Sequence, residues 1–105
     1  MKRGEVRWYK FTHPDKKRPV LILTRNSIIE YLGEVTVAPL TTTIRNIPSE
    51  VHLGKNDGLA ADCAVNCDHL QTVPKPKLGG LITVLQPSKL FEVKQAVLFA
   101  LGLST

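Results

Sequence analysis

The chain has 105 residues, 43% of them hydrophobic, enough for one domain to bury a core without metal or disulfides. Its two cysteines, Cys63 and Cys67, are too few and too close for a disulfide framework, and no His/Cys spacing matches a zinc site, so no metal or cofactor is expected. No apolar run approaches bilayer-spanning length, and Met1-Lys2-Arg3 is not followed by a signal-peptide hydrophobic region, which predicts a reducing, cytoplasmic setting away from membranes.

The net charge of +5 is unevenly placed: residues 1–18 hold seven Lys/Arg against two acids, and residues 19–105 hold seven against seven. Clustered cations attract polyanions and speed their encounter, so nucleic acid or an acidic protein segment is the expected partner class. A solvated basic face is the plain alternative.

In chain order, Gly4 to Thr12 is rich in aromatic and β-branched residues and predicts a first strand. Period two sets Val6, Trp8 and Lys10 on one face and Arg7, Tyr9 and Phe11 on the other. One face must be core, and the expectation is Trp8 inside with Tyr9 or Phe11 near a functional surface. His13-Pro14-Asp15-Lys16-Lys17 has turn chemistry. The stretch around which the chain is organised follows: Lys16-Lys17-Arg18 runs into Pro19 and then Val20-Leu21-Ile22-Leu23. Those aliphatics cannot alternate in a half-exposed sheet without putting two in water, so they predict a central strand covered on both faces. Arg18 then stands at the strand's mouth, held extended by Pro19, where an anchored fork of donors suits phosphate. An ordinary solvated strand end is the alternative.

Asn26 or Ser27 is placed to cap a short helix ending before Gly33. Glu34 to Leu40 alternates as a strand in which Pro39 marks a bulge, an edge or an end, and Thr41-Thr42-Thr43 leaves the sheet. Ser49 to Leu53 predicts a short strand, Gly54 to Gly58 a turn, and Asp62 to Val73 one extended segment. Leu78 to Leu85 is a last apolar strand with a bend at Gly79-Gly80. Ser88 is the expected N-cap of a terminal helix with Leu90, Val93, Val97 and Leu101 on one face, Phe99 nearly opposite and Gly102 as the stop. Short strands closed by one helix make residues 1–105 a single, mainly β domain, a small barrel with a C-terminal helix.

The order of these segments resembles the MazF/PemK (Kid) family of toxin endoribonucleases. The resemblance rests on Arg3-Gly4-Glu5-Val6, Arg18-Pro19-Val20-Leu21-Ile22-Leu23, Val37-Ala38-Pro39-Leu40-Thr41-Thr42-Thr43, Pro48-Ser49-Glu50-Val51, the Asp62 to Val73 stretch and the ending Leu101-Gly102-Leu103. It implies an SH3-like barrel, a homodimer and metal-independent cleavage of single-stranded RNA, held in check by an antitoxin. It also implies that Arg18 and Thr41 are the functional pair. The first loop, Thr12 to Lys17, is shorter than in many relatives and lacks their Gly-Ser-Glu-Gln run, so a glutamate acid/base there has no equivalent. Asp68-His69 and Gln71 differ from the acid, glutamine and basic residue common at that place.

Metal-free RNA cleavage needs a base for the 2′-hydroxyl proton, an acid for the leaving 5′-oxygen and donors for the phosphorane charge. Arg18 supplies fixed phosphate donors and Thr41 a hydroxyl. Because arginine normally stays charged, Arg18 is assigned to charge stabilisation. His13, with an ordinary pKa of roughly 6.5, is the candidate for proton transfer, a simple turn histidine being the alternative. Arg7, Lys10, Lys16, Lys17, Thr42 and Gln71 are candidates for RNA contact, and the first-strand aromatics for base stacking. An acidic antitoxin segment would complement the basic face. His52 reads as a surface strand residue, His69 as a partly buried, hydrogen-bonded structural histidine with an RNA contact as the alternative, and the cysteines as buried small hydrophobes. Two other readings have the same fold: a catalytically silent barrel that binds antitoxin or RNA, and a toxin that binds gyrase.

Overall fold

The computed structural model describes residues 1–11 and 17–103. Its strands are β1 (Glu5–Lys10), β2 (Lys17–Ile22), β3 (Glu34–Thr41), β4 (Glu50–Leu53), β5 (Cys63–Asn66), β6 (Gln71–Pro74) and β7 (Leu78–Val84); its helices are α1 (Asn26–Ile29) and α2 (Pro87–Ala100). The strands pair antiparallel in the order β4-β5-β3-β2-β1-β7, with β6 added to β3. This is the mainly β class with a C-terminal helix that the sequence predicts. Among the described residues no ladder joins β7 to β4, so the barrel is open.

The run Val20-Leu21-Ile22 is fully buried, as its unbroken aliphatic character predicts. Leu21 enters one cluster with Val6, Ala38, Leu40, Val65 and Leu53, sealed by Val93 and Ala96 of α2. Val20 and Ile22 enter a second cluster with Ile29, Val35, Val37 and Val73, flanked by Tyr9 and Phe11. One strand thus serves two cores. Each such side chain contributes roughly 1.5–3 kcal/mol by leaving water.

The long strand β3 changes partners. On one side it pairs with β2 through Val37, Ala38 and Pro39. On the other it pairs with β6 from Glu34 to Val37 and then with β5 from Leu40 to Thr41. Pro39, which has no N–H to give a ladder, falls at the changeover. Beyond it β3 follows β5 while β2 stays with β1, and a cleft opens between the two strand ends.

Five expectations are corrected. Trp8 is 42% exposed rather than inside, because the β1–β7 register skips past the residues opposite it: Arg7 pairs with Leu81 and Tyr9 with Leu78. Only Gly79 and Gly80 lie between, with no side chain to cover the indole. Tyr9 and Phe11 pack on the second cluster with their rings edge-to-face at 4.8 Å, while on the Trp8 face Val6 is buried in the first. Asp62 to Val73 is two strands, because Asn66 breaks it by accepting a hydrogen bond from the Asp68 N–H at 3.1 Å. Asn26 does not cap α1: its Oδ1 accepts from the Arg3 N–H at 2.7 Å, and the helix, a single turn, starts after Arg25. Helix α2 starts after Gln86 with Pro87 in its first turn, not after Ser88. Leu101, expected on its buried face, is 56% exposed. The stop is as predicted: Gly102 takes φ +70°, and Gly102 N–H to Phe99 O with Leu103 N–H to Leu98 O closes a Schellman motif.

Candidate active site

Arg18 is the second residue of β2, with Tyr9 as its partner across β1. In the β2–β3 register Ile22 faces Val37, Leu21 faces Ala38 and Val20 faces Pro39. Carried two residues further, the same register sets Arg18 opposite Thr41. The ladder has opened by then, so β2 and β3 do not pair with each other at these residues, although Arg18 pairs with Tyr9 of β1 and Thr41 with Ala64 of β5. Arg18 is exposed and has no ion-pair partner among the described residues. Thr41 is half-buried, and its Oγ1 accepts from the Thr43 N–H at 3.1 Å. That bond fixes the hydroxyl and leaves its O–H to donate outward. A guanidinium fork and a hydroxyl donor thus flank the strand opening, a set suited to the oxygens of a phosphodiester.

The opening continues into a cavity of about 200 Å³. Trp8 and its cross-strand neighbour Pro19 wall one side, and Leu40, Leu59, Cys63 and Ile82 line the rest, with Thr41 and Thr42 at the edge. Thr41 is the residue shared by the register pair and the cavity. Burial, reinforced by Asp57 and Asp62, pushes the Cys63 thiol up. It stays neutral, part of an apolar wall.

A family model for the PemK-like, MazF-like toxin of type II toxin-antitoxin systems matches residues 2–101. The chain belongs to this toxin family. It is 38% identical to the "Probable endoribonuclease MazF2" of Mycobacterium tuberculosis over 97% of this chain and 99% of that protein. It is 47% identical to the "Endoribonuclease MazF3" of the same organism over 71% of this chain and 73% of the relative. Among solved structures, an "Endoribonuclease in complex with its cognate antitoxin from Mycobacterial species" superposes with TM-score 0.90 at 30% identity, covering 100% of this chain and 98% of that one.

The other candidate residues of this MazF-like toxin are dispersed. Lys17 is exposed beside Arg18 and faces Lys10 across β1–β2, so the cations gather at one strand end. Arg7 is architectural. Its Nε donates to Glu5 at 2.8 Å and its Nη1 to the Gly79 carbonyl at 3.0 Å, spanning the β1–β7 irregularity. Thr42 is exposed at the cavity edge. Gln71 is exposed at the start of β6, opposite Val37 and four residues along β3 from Thr41. His13 and Lys16 lie outside the described residues. His52 is a surface residue facing Asp62 at 3.8 Å. His69 is exposed rather than partly buried and meets Asn66 at 3.3 Å, while Asp68 accepts from the Ser49 hydroxyl at 2.5 Å. That corner therefore serves the β5–β6 turn. Among the described residues no group of three or more His, Cys, Asp or Glu is arranged to hold a metal.

The sequence singles out Trp8, Thr41, Thr42 and Cys63 one by one, but no pattern in it joins them into a cavity. Its walls come from Trp8, Pro19 and the segment Leu59-Ala60-Ala61, which no motif joins. The one available signal was Ala60-Ala61, two small residues after a glycine turn.

Proposed function

We propose that this chain, an endoribonuclease toxin of a type II toxin–antitoxin system, cuts single-stranded RNA without a metal ion at the open end of the β2–β3 ladder. The observation that supports this is the β2–β3 register, which, counted on past its last pair, brings Arg18 level with Thr41 where those two strands no longer pair with each other. The 2′-oxygen forms a bond to phosphorus as the bond to the 5′-oxygen breaks, leaving a cyclic phosphate and a 5′-hydroxyl. Arg18 and the Thr41 hydroxyl donate to the phosphorane oxygens, where charge develops. His13 takes the 2′-hydroxyl proton as general base, and water protonates the departing 5′-oxygen. Lys10, Lys16 and Lys17 hold flanking phosphates, with Thr42 and Gln71 as further contacts.

An antitoxin is the partner that follows from the family. An acidic, partly disordered segment of it would cover Arg18 and the first loop and exclude RNA, since residues 1–18 carry the whole charge excess. The toxin acts as a homodimer: Phe91 and Phe99 are 59% and 52% exposed along α2, an apolar face that a second copy would cover. No described helix is long and apolar enough to cross a membrane, and the cytoplasm, where RNA is met, is the proposed setting.

The test is incubation of the purified protein with single-stranded RNA in EDTA and mapping of new 5′ ends. Discrete ends at recurring short sequences are expected. Intact RNA, or cleavage that EDTA abolishes, would refute the reading.

A further inference from the structure

We propose that the cavity between the diverging ends of β2 and β3 receives one unpaired base of the RNA, stacked on Trp8, beside the phosphate engaged by Arg18 and Thr41. The inference rests on the endoribonuclease reading above.

Position supports it first. Thr41 and Thr42 form the cavity's edge, and Pro19 of its wall is the residue after Arg18. A nucleotide whose phosphate lies at that edge has its base within reach of the cavity. Size and chemistry agree. At about 200 Å³ the space falls below the roughly 300–1,000 Å³ of sites that enclose drug-sized ligands, so it takes one ring system and not a whole nucleotide. Its lining is aromatic and aliphatic, with two threonine hydroxyls as its polar side chains apart from Cys63. Such a surface reads a base by its π-face and is tolerant of base identity. The half-exposed Trp8 ring is the platform.

The cavity is also preformed. The segment Leu59-Ala60-Ala61 is held by Gly58 at φ +92°, where a Cβ would collide with the Thr83 hydroxyl. Thr83 in turn donates to the Asp57 carbonyl at 2.9 Å, and the Gly54 N–H donates to the Asp57 carboxylate at 2.9 Å. A base entering this fixed slot orders no loop, and its binding energy goes into placing the adjacent phosphate. Selection of single strands follows, since a base in a duplex must first leave its pair and stack.

Trp8 is the chain's one tryptophan, so intrinsic fluorescence reads this cavity directly. The probe is a single-stranded oligonucleotide carrying a mapped cleavage site with a 2′-deoxyribose at the attacking position, which binds and is not cut. The expected results are a saturable change in Trp8 emission and a roughly 5- to 150-fold weaker affinity in Trp8→Ala. Abasic replacement should weaken binding at one position beside the cut in the unaltered protein and not in Trp8→Ala. Ala61→Leu, which keeps the indole and narrows the cavity, should raise KM with an unchanged melting temperature. Unchanged emission at saturating RNA, or abasic losses that are the same in both proteins, overturns the proposal. So does emission that responds to the antitoxin and not to RNA, which would assign the cavity to the protein partner. If the unaltered protein cuts no RNA, the endoribonuclease reading falls and the base pocket with it; normal cleavage with the results just named removes the pocket alone.

Discussion

Val20 with Pro39 is the last pair of the β2–β3 register, and counting two residues on from it brings Arg18 level with Thr41. The physical cause is the divided loyalty of β3, which leaves β2 to follow β5. Each residue is anchored by a buried neighbour in its own strand, Val20 two residues after Arg18 and Leu40 just before Thr41. Rigid backbones with open side chains are what phosphate positioning requires, since donors that need no reordering keep their full effect in the transition state.

His13 decides the proton chemistry. As general base it is expected to be worth about 10²–10⁴ in rate, so His13→Ala should slow single-turnover cleavage by that factor and remove a titration near neutral pH. A retained rate with an unshifted pH profile would make it a turn residue.

Gly58 is expected to resist substitution. Gly58→Ala would force an alanine to φ +92° against the Thr83 hydroxyl, at a cost of roughly 1–3 kcal/mol. Denaturant melts should show that loss, and cleavage should weaken with it because Leu59 to Ala61 would shift. A variant as stable as the unaltered protein would refute the strain.

The cysteines give a pH signature. Burial, then Asp68, pushes the Cys67 thiol up to about 11 from an ordinary 9.0. The folded state therefore holds the proton more tightly than the unfolded chain. The resulting stability is complete below pH 9 and is lost as pH rises toward about 11. Alkaline melts should show this decline, less steep in Cys67→Ala. At about pH 8, below the ordinary thiol range, an aromatic disulfide reagent should label neither Cys63 nor Cys67 until denaturant is added, because both are buried.

Dimerisation through α2 is open to sedimentation. Twice the chain mass is expected at micromolar concentration, and Phe91→Glu with Phe99→Glu should halve it while leaving the helical circular dichroism intact. A monomer at that concentration would contradict the homodimer.

Much of the fold was legible because charge, aliphatic runs and glycine act locally. Val20-Leu21-Ile22 could be buried in only one way, and Gly102 had a stop to make. The errors arise where a distant segment decides. Trp8 alternates like a core residue, and its exposure depends on Gly79 and Gly80, far along the chain. Asp62 to Val73 keeps one extended pattern, yet it serves β3 twice, and the break at Asn66 is a side-chain hydrogen bond that periodicity does not register. For the candidate site, the motifs single out Arg18 and Thr41. The cavity beside them was not legible, since it is made by the divergence of two strands and lined from separate segments of the chain.

The most direct measurement is single-turnover cleavage, in EDTA, of one mapped RNA by Arg18→Ala, Thr41→Ala and the double variant. Each single change should lower the rate by roughly 10²–10³ and shift stability by no more than about 1 kcal/mol. The double variant should lose less than the product of the two, because one phosphorane is served by both. Undiminished cleavage by Arg18→Ala would contradict the assignment of the chemistry to this strand opening.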